Sequence, residues 1–250
     1  MTNIDFSGLT ALVTGGTSGI GREVALQLGA GGAHVVVTGR SAERGAATVD
    51  AIVAAGGAAD FVAVDLADAA AVTHLAAEAL RIGGGRVDVL VNNAGLFPFG
   101  ATADADTEMF DSVMAVNVRA PFTLVGALAP GMAERGHGAI VNVTTMVAAF
   151  GMSGMSLYGS SKAALQLLTK AWAAEFGASG VRVNAVSPGP TRTEGTEVMG
   201  ESLDALAATT PAGRPSTPAE VAAGIVFLAS AAASNIHGVI LPVDGGRLAV

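Results

Sequence analysis

The chain of 250 residues contains no cysteine, and this absence removes several kinds of chemistry at once. Without thiols there are no disulfides, no zinc–thiolate sites and no cysteine nucleophile. The four histidines, His34, His74, His137 and His237, are scattered and show no H-x-x-x-H or H-E-x-x-H spacing. We therefore expect no metal site, and we interpret each histidine as a surface or loop residue.

Charge is also scarce. Charged residues make up 14% of the chain, the net charge is −8, and there is no basic run. This balance argues against nucleic acid and anionic membranes as partners. The longest uncharged stretch, residues 138–161, is interrupted by Asn, Ser, Thr and Gly, so we expect no membrane span. The beginning, "MTNIDFSGLTALVTGG", has no cationic region before its apolar part and is not typical of a secretory signal. The sequence predicts a soluble cytoplasmic protein.

Aromatic residues make up only 4%, whereas hydrophobic residues make up 51% and glycines number 34. Such a chain can form a sizeable, closely packed core. Short β-branched runs alternate with longer Ala/Leu-rich segments, and the apolar runs are continuous, as in strands buried on both faces of a parallel sheet. The pattern predicts one α/β domain over residues 1–250 with a doubly wound sheet and helices on both faces. Predicted strands are 10–15, 34–39, 61–66, 87–93, 138–144, 181–187 and 238–244; predicted helices lie near 19–31, 41–55, 68–82, 104–132, 156–178 and 217–232.

One segment, residues 188–216, does not follow the alternation. It is long and polar, and it is punctuated by Pro and Gly. A stretch of this length in a compact domain is usually functional, so we predict a lid over a ligand site.

The first predicted strand runs into "TGGTSGIG", residues 14–21, and then into a helix. Gly15, Gly19 and Gly21 allow a tight turn and a close approach of a diphosphate to the backbone. The helix that follows offers free N–H groups and the positive end of its dipole. In this position, after a first strand and before a helix, the glycines predict a dinucleotide site.

The end of the second strand bears on which dinucleotide binds. NAD sites usually have a carboxylate there for the adenosine ribose, but this chain has Gly39 followed by Arg40. A guanidinium can hold a 2′-phosphate through paired, charge-assisted contacts, which favours NADP(H). Alternatively, Arg40 only precedes a helix that Ser41 caps, and NAD(H) is the cofactor.

The only tyrosine, Tyr158, lies four residues before Lys162 in "YGSSK". On a helix the two side chains share a face, although this spacing alone is a common coincidence. A free phenol titrates near pH 10, and a neighbouring ammonium favours the phenolate. The pair therefore predicts a phenol whose pKa is lowered by Lys162.

Together these residues resemble the short-chain dehydrogenase/reductase family, and the resemblance covers essentially the whole chain. The matching pieces come in the family's order: "TGGTSGIG" at 14–21, "VDL" at 64–66, "NNAG" at 92–95, "VN" at 116–117, "IVNVTT" at 140–145, "YGSSK" at 158–162 and "SPGPTRT" at 187–193. The resemblance implies a Rossmann-type sheet of about seven parallel strands.

It also implies roles for individual residues. Asp65, with Leu66, is similar to the residues that meet the adenine, and Thr191 and Thr193 are similar to those that hold the nicotinamide carboxamide. The cofactor-binding residues implied in total are Gly15, Thr17, Ser18, Gly19, Ile20, Gly21, Arg40, Ser41, Asp65, Leu66, Asn92, Asn93, Ala94, Gly95, Tyr158, Lys162, Pro188, Gly189, Thr191 and Thr193.

The catalytic tetrad implied by the resemblance is Asn117, Thr145, Tyr158 and Lys162. Tyr158 would exchange a proton with the substrate oxygen, Lys162 would also hold the nicotinamide ribose, and Asn117 would position a water. Thr145 stands where the family has serine. Threonine keeps the hydroxyl but adds a methyl group that stiffens χ1. Either it takes over the serine's role, or it is only a β-former at a strand end and the chemistry has lapsed.

The expected substrate is an apolar or aromatic small ketone or secondary alcohol, because the residues that should border it are Leu96, Phe97, Pro98, Phe99, Met146, Phe150, Met152 and Met155. The helices near 104–132 and 156–178 are rich in Ala and Leu, and in the family this pair forms a four-helix interface, so we expect a homotetramer. The main hypothesis is an NADP(H)-dependent oxidoreductase. The alternatives are an NAD-dependent alcohol dehydrogenase of the same family and, more remotely, a non-catalytic dinucleotide-binding sensor or scaffold.

Overall fold

The computed structural model of the chain describes residues 4–250 and contains one sheet of seven parallel strands in the order β3-β2-β1-β4-β5-β6-β7. The strands are β1 Thr10–Val13, β2 His34–Gly39, β3 Ala58–Ala63, β4 Val89–Asn92, β5 Gly138–Val143, β6 Val181–Pro188 and β7 Ile240–Val243. The predicted fold class, a doubly wound α/β sheet with helices on both faces, is confirmed. Residues 1–3 of the predicted 1–250 domain lie outside the described residues.

Eight α-helices flank the sheet in the described part of the chain: α1 Gly19–Ala30, α2 Ala42–Ala54, α3 Ala69–Ile82, α4 Thr107–Met114, α5 Ala120–Glu134, α6 Ser156–Phe176, α7 Glu201–Ala207 and α8 Pro218–Ala229. Two apolar layers hold the helices in place. One contains side chains of α1, α2 and α8, and the other contains side chains of α3, α5 and α6. The central strands are buried on both faces, which explains their continuous apolar sequences.

The third strand differs from its prediction. It covers Ala58–Ala63 instead of 61–66, because its partner strand β2 pairs residue for residue from His34↔Ala58 to Gly39↔Ala63. This edge strand is partly exposed, so the apolar run that the prediction followed is a poor guide to its bounds. The residues left over, 64–66, leave the sheet at its carboxyl edge and are free to face a ligand.

The single helix predicted near 104–132 is interrupted. A short 3₁₀ turn, Thr102–Asp104, precedes α4, and a π-helical turn, Ala115–Arg119, joins α4 to α5. A π turn inserts an extra residue per turn and is frequent at functional sites. The whole segment Thr107–Glu134 is long and apolar enough to cross a membrane by length and composition, but 56% of its most apolar window is buried inside the fold. That burial is typical of a core helix.

Residues 188–216 contain more regular structure than their composition predicts. A 3₁₀ helix, Glu194–Met199, is followed directly by α7. The two ends of the segment meet in a bridge between Thr191 and Ser216, where the Arg192 N–H donates to the Ser216 carbonyl at 2.9 Å. The segment therefore forms a loop whose two ends are paired at the sheet edge. Its 3₁₀ helix and α7 lie at the same edge as the glycine-rich turn.

Candidate active site

The candidate site lies at the carboxyl edge of the sheet, where β1 and β4 are neighbours although the chain places two strands between them. At this switch point the helices that follow the two strands leave in opposite directions and open a crevice, which is the general ligand site of doubly wound sheets. The crevice is a cavity of about 570 Å³. It extends from the glycine-rich turn, past the end of β5 and the start of α6, to the segment 188–216.

Two glycines of the glycine-rich turn, Gly15 and Gly21, have no room for a side chain. A Cβ on Gly21 would lie 2.2 Å from the Gly15 carbonyl oxygen, and a Cβ on Gly15 would lie 3.0 Å from the Ala94 Cα. Gly15 and Gly19 also have φ angles of +64° and +51°, which favour glycine. The backbone of this turn is thus exposed to the cavity at the N-terminus of α1, as an anion site requires.

A set of hydrogen bonds ties this turn to the end of β4. The Thr14 hydroxyl accepts the N–H groups of Asn93 and Ala94 at 3.0 and 3.1 Å, and the Asn93 side chain donates to the carbonyls of Thr14 and Gly15 at 2.9 and 3.1 Å. Asn93 therefore holds the backbone of the turn against the end of β4. The structure places Asn93, Ala94 and Gly95 in the cavity wall, as predicted.

Two cations line the cavity near the end of β2, which contacts the glycine-rich turn through Gly39 and Thr17. Arg40 lines it as predicted, and Arg44, one helical turn further along α2, lies there too. Gly39 leaves no space for an acid: its Cβ would lie 2.7 and 2.9 Å from the Thr17 Cγ2 and Oγ1. Asp65 and Leu66 complete this end. Arg44 was missed in the sequence, although its position four residues after Arg40, in the first turn of α2, was a signal for it.

Two predicted cofactor residues lie outside the cavity lining. Ser41 is the N-cap of α2 and its hydroxyl accepts the Arg44 N–H at 3.3 Å, which is the capping role considered as an alternative. Asn92 is buried beneath the sheet edge, and its side chain donates to the Asn142 oxygen at 2.9 Å. The amide of Asn142 in turn donates to the Thr169 hydroxyl at 2.8 Å. Asn92 therefore links β4, β5 and α6 and supports the site from inside the sheet. All other predicted cofactor residues line the cavity: Gly15, Thr17, Ser18, Gly19, Ile20, Gly21, Arg40, Asp65, Leu66, Asn93, Ala94, Gly95, Tyr158, Lys162, Pro188, Gly189, Thr191 and Thr193.

Thr145, Tyr158 and Lys162 meet at the centre of the cavity. Thr145 follows β5, and Tyr158 and Lys162 lie one turn apart at the start of α6. The Lys162 ammonium is buried and donates to the Val143 carbonyl at the end of β5, at 2.8 Å. Gly95 approaches from the other side, where its Cβ would lie 3.2 Å from the Lys162 Nζ.

The electrostatics of this group differ from the expectation that Lys162 lowers the pKa of the phenol. Burial raises the pKa of Tyr158 to about 12, and a hydrogen bond with the Thr145 hydroxyl offsets part of that rise. Burial lowers the pKa of Lys162 to about 8, because the ammonium loses its hydration. The group that favours the phenolate here is thus Thr145, and the expected effect of Lys162 is not found. Thr145 lines the cavity with Tyr158, and its predicted role towards a substrate oxygen stays a prediction.

Asn117, the fourth predicted catalytic residue, lies behind the cavity wall. It is in the π-helical turn and is fully buried. Its amide donates to the Leu96 carbonyl at 2.8 Å and to the Ser161 hydroxyl at 3.0 Å, and its oxygen accepts the Leu96 N–H at 2.8 Å. These bonds use both amide hydrogens. In this structure the Asn117 side chain joins the loop after β4 to α6, and its expected role in positioning a water stays a prediction.

The remaining wall is apolar. Of the predicted substrate-facing residues, Leu96, Phe97, Met146, Met152 and Met155 line the cavity. Pro98, Phe99 and Phe150 do not: Phe99 packs against Gly154, and the Phe150 ring lies 5.1 Å beneath the Arg247 guanidinium. The wall also includes Met199, Leu203 and Leu206 from the 188–216 segment, which the sequence analysis missed. Their i, i+4, i+7 spacing was a helical signal within a stretch that was interpreted as a loop.

Among the described residues no group of three or more His, Asp or Glu side chains is arranged to hold a metal ion. The cavity combines a glycine-rich turn suited to an anion, the two arginines Arg40 and Arg44, and the hydroxyl groups of Tyr158 and Thr145 beside apolar side chains. This combination is typical of a dinucleotide-dependent oxidoreductase.

Comparisons with known proteins agree with that class. The family model described as "Enoyl-(Acyl carrier protein) reductase" matches residues 15–247. Galactitol 2-dehydrogenase (L-tagatose-forming) of Cereibacter sphaeroides is 40% identical over 96% of this chain and 94% of its own length. The 2,5-dichloro-2,5-cyclohexadiene-1,4-diol dehydrogenase LinX of Sphingobium indicum is 36% identical over 96% of both chains.

Solved structures extend the similarity to the whole fold. A short chain dehydrogenase/reductase family protein is 51% identical, with a TM-score of 0.92, and the match covers 99% of this chain and 100% of that one. A putative gluconate 5-dehydrogenase from Beutenbergia cavernae, solved with bound NADP, is 38% identical, with a TM-score of 0.92 and coverage of 98% and 99%. The chain belongs to the short-chain dehydrogenase/reductase family. It is an oxidoreductase of the kind that acts on alcohols and ketones with a nicotinamide cofactor.

The electrostatics of the site lead to a spectroscopic prediction. Because Tyr158 is the only tyrosine, the ultraviolet absorbance of phenolate reports its ionisation alone. We expect the native protein to show almost no phenolate at about pH 10, where an exposed phenol is half ionised. Thr145→Val should raise the pKa further, because it removes the hydroxyl and keeps the branched shape. Thr145→Ser is the matched control and should titrate like the native protein. Half-ionisation of the folded protein near pH 10 would show that burial does not control this phenol.

Proposed function

We propose that the protein is an NADP(H)-dependent oxidoreductase that interconverts an apolar or aromatic ketone and the corresponding secondary alcohol. The observation that carries the choice of cofactor is the adenosine end of the cavity. Arg40 and Arg44 border it, and the contact of Gly39 with Thr17 leaves no room for a carboxylate at that position. Two guanidinium groups suit a 2′-phosphate, whereas a ribose diol is usually held by an acid.

The residues present fit a nicotinamide dinucleotide along its whole length. The turn at Gly15–Gly21 and the N-terminus of α1 would hold the diphosphate, Asp65 would face the adenine, and Thr191 and Thr193 would face the nicotinamide. The cofactor, when bound, supplies or removes the hydride. Lys162 lies where it would hold the ribose, and its single hydrogen bond to the Val143 carbonyl leaves two ammonium hydrogens for that purpose.

Proton transfer falls to Tyr158. A phenol with a pKa of about 12 is fully protonated at neutral pH, so it can donate to a developing alkoxide in the reductive direction. After the proton is donated, the Thr145 hydroxyl would stabilise the Tyr158 phenolate through the hydrogen bond between the two side chains.

The proposed substrate class follows from the chamber beside Tyr158. Its wall is formed by Leu96, Phe97 and four methionines, Met146, Met152, Met155 and Met199, with Leu203 and Leu206. The charged residues that line the cavity are Arg40, Arg44 and Asp65 at the adenosine end, and Lys162 one helical turn from Tyr158. The relatives are named for both sugar alcohols and a chlorinated cyclohexadiene diol. These apolar side chains suit the second kind of molecule better, since the hydroxyls of a sugar alcohol would lose their hydration beside them.

Cofactor preference is the first test. In fluorescence titrations NADPH should bind about ten- to a hundredfold more tightly than NADH, the scale of a hydrogen bond to a charged group. Arg40→Met should remove most of that difference, because it keeps the length of the side chain without its charge. Arg81→Met, at an exposed position away from the cavity, is the control. A preference for NADH would assign Arg40 to the protein surface and support the NAD-dependent alternative.

Turnover tests the chemistry. With NADPH and a panel of aromatic ketones, Tyr158→Phe should lose about 10²–10⁴-fold in kcat, the scale of a general acid, with unchanged binding of NADPH. Thr145→Ser should stay within a small factor of the native kcat. Sugar ketones and ketones with phosphate groups should be poorer substrates than aromatic ones. Highest activity on polyols or phosphorylated sugars would contradict the proposed substrate class, and NADPH binding without any turnover would favour the sensor or scaffold alternative.

We further propose that the protein is a cytoplasmic homotetramer in which α5 and α6 pack against a second copy. Phe122 and Leu167 are large apolar residues of these helices with 57% and 69% of their surfaces exposed. Light scattering should give a mass of about four times 24.5 kDa. Leu167→Glu should lower that mass, because it places a charge in the interface, whereas Val53→Glu on α2 should not change it. A monomeric native protein would contradict the proposal.

A further inference from the structure

The N-terminus of α1 carries a contact that the proposed function does not use. The first N–H groups of a helix have no partner within the helix, and Ser18, the N-cap residue of α1, contributes no side-chain hydrogen bond. Instead the Gly19 N–H donates to the Glu194 carboxylate at 2.9 Å. The two residues are 175 positions apart in the chain. A carboxylate from the 188–216 segment therefore lies on the helix end that is proposed to hold the diphosphate.

The packing around this contact joins the segment to the glycine-rich turn. A Cβ on Gly19 would lie 3.1 Å from the Thr193 Cγ2 and 3.7 Å from the Glu194 Oε2, so both side chains lie directly on the backbone of Gly19. The hydroxyl of Thr196 accepts the Thr193 N–H at 2.9 Å and fixes the turn from which Glu194 projects. The position of the carboxylate is thus set by the start of the 3₁₀ helix, Glu194–Met199.

The charges nearby leave the carboxylate without an ion pair. Arg22, Glu23, Arg192 and Glu197 border the same recess as Glu194. Arg192 is paired with Asp204 at 2.5 Å, and in the described part of the chain no cation lies within ion-pair distance of Glu194. The hydrogen-bond donor to this carboxylate is therefore the N-terminal end of α1, whose dipole favours a negative charge.

We propose that Glu194 sets the affinity of the site for its cofactor. The carboxylate accepts the Gly19 N–H from the recess beside the cavity, and a diphosphate in the cavity would be a second anion at the same helix end, so each would weaken the binding of the other. Binding of the cofactor then acts against the contact that holds the 188–216 segment at Gly19. This inference rests on the proposed function, because it takes a dinucleotide as the ligand.

Glu194→Gln separates the charge from the hydrogen bond, since the amide oxygen can still accept the Gly19 N–H. We expect NADPH to bind this variant about two- to fivefold more tightly than the native protein at low salt, the scale of an exposed charge at a helix end. The difference should shrink at about 0.5 M salt, because an exposed carboxylate is screened. Glu197→Gln is the matched control. It removes the same charge from the same 3₁₀ helix at a residue that does not contact Gly19, and it should leave affinity unchanged.

A second readout does not depend on the cofactor. In hydrogen exchange of the protein alone, Glu194→Ala should speed exchange in residues 194–207, whereas Glu197→Ala should not. Unchanged or weaker NADPH binding by Glu194→Gln, or equal tightening by Glu197→Gln, would overturn the inference. If the native protein bound neither NADPH nor NADH, the proposed function would fail together with the effect on affinity. The exchange measurement would then still show whether Glu194 holds the segment to α1.

Discussion

The site depends on one constraint, the close approach of two loops at the switch point between β1 and β4. Both strands end at the same edge, and the turn after β1 must pass within contact distance of the backbone at Ala94. Glycine at positions 15 and 21 permits this approach, and Thr14 and Asn93 hold it with four hydrogen bonds. Everything that faces the cavity is placed relative to this junction. A side chain at Gly21 would collide with the Gly15 carbonyl and separate the two halves of the sheet edge.

A second theme is the burial of polar groups behind the chemistry. Asn117 and Asn92 do not line the cavity, yet each supports its wall. Asn117 connects the loop after β4 to α6, and Asn92 connects β4 to β5. Such hydrogen-bonded groups lie in a region of low dielectric, where they hold one geometry firmly. The same burial raises the pKa of Tyr158 and lowers that of Lys162. It therefore favours a neutral phenol as the starting state and makes the Thr145 hydroxyl, the residue that departs from the family's serine, the stabilising partner.

The segment 188–216 contributes residues to two parts of the site. Through Met199, Leu203 and Leu206 it forms part of the apolar wall, and through Thr193 and Glu194 it rests on the glycine-rich turn. One segment thus contacts both the proposed substrate chamber and the proposed diphosphate site. Contacts shared in this way are one requirement for coupling between two ligands.

The sequence by itself determined the parallel sheet, because continuous apolar strands and alternating helices leave no other way to bury that surface. It also determined the glycine-rich turn and the set Thr145, Tyr158 and Lys162, because these signals are local and follow strand ends. Only the tertiary structure decided the rest. Strand β3 is positioned by pairing with β2, and the electrostatics of Tyr158 depend on burial. Asn117, in the π turn, bonds to Leu96 and Ser161, and Glu194 meets Gly19 across 175 residues. Each of these features arises from contacts between distant parts of the chain, and such contacts cannot be predicted from the local pattern of residues.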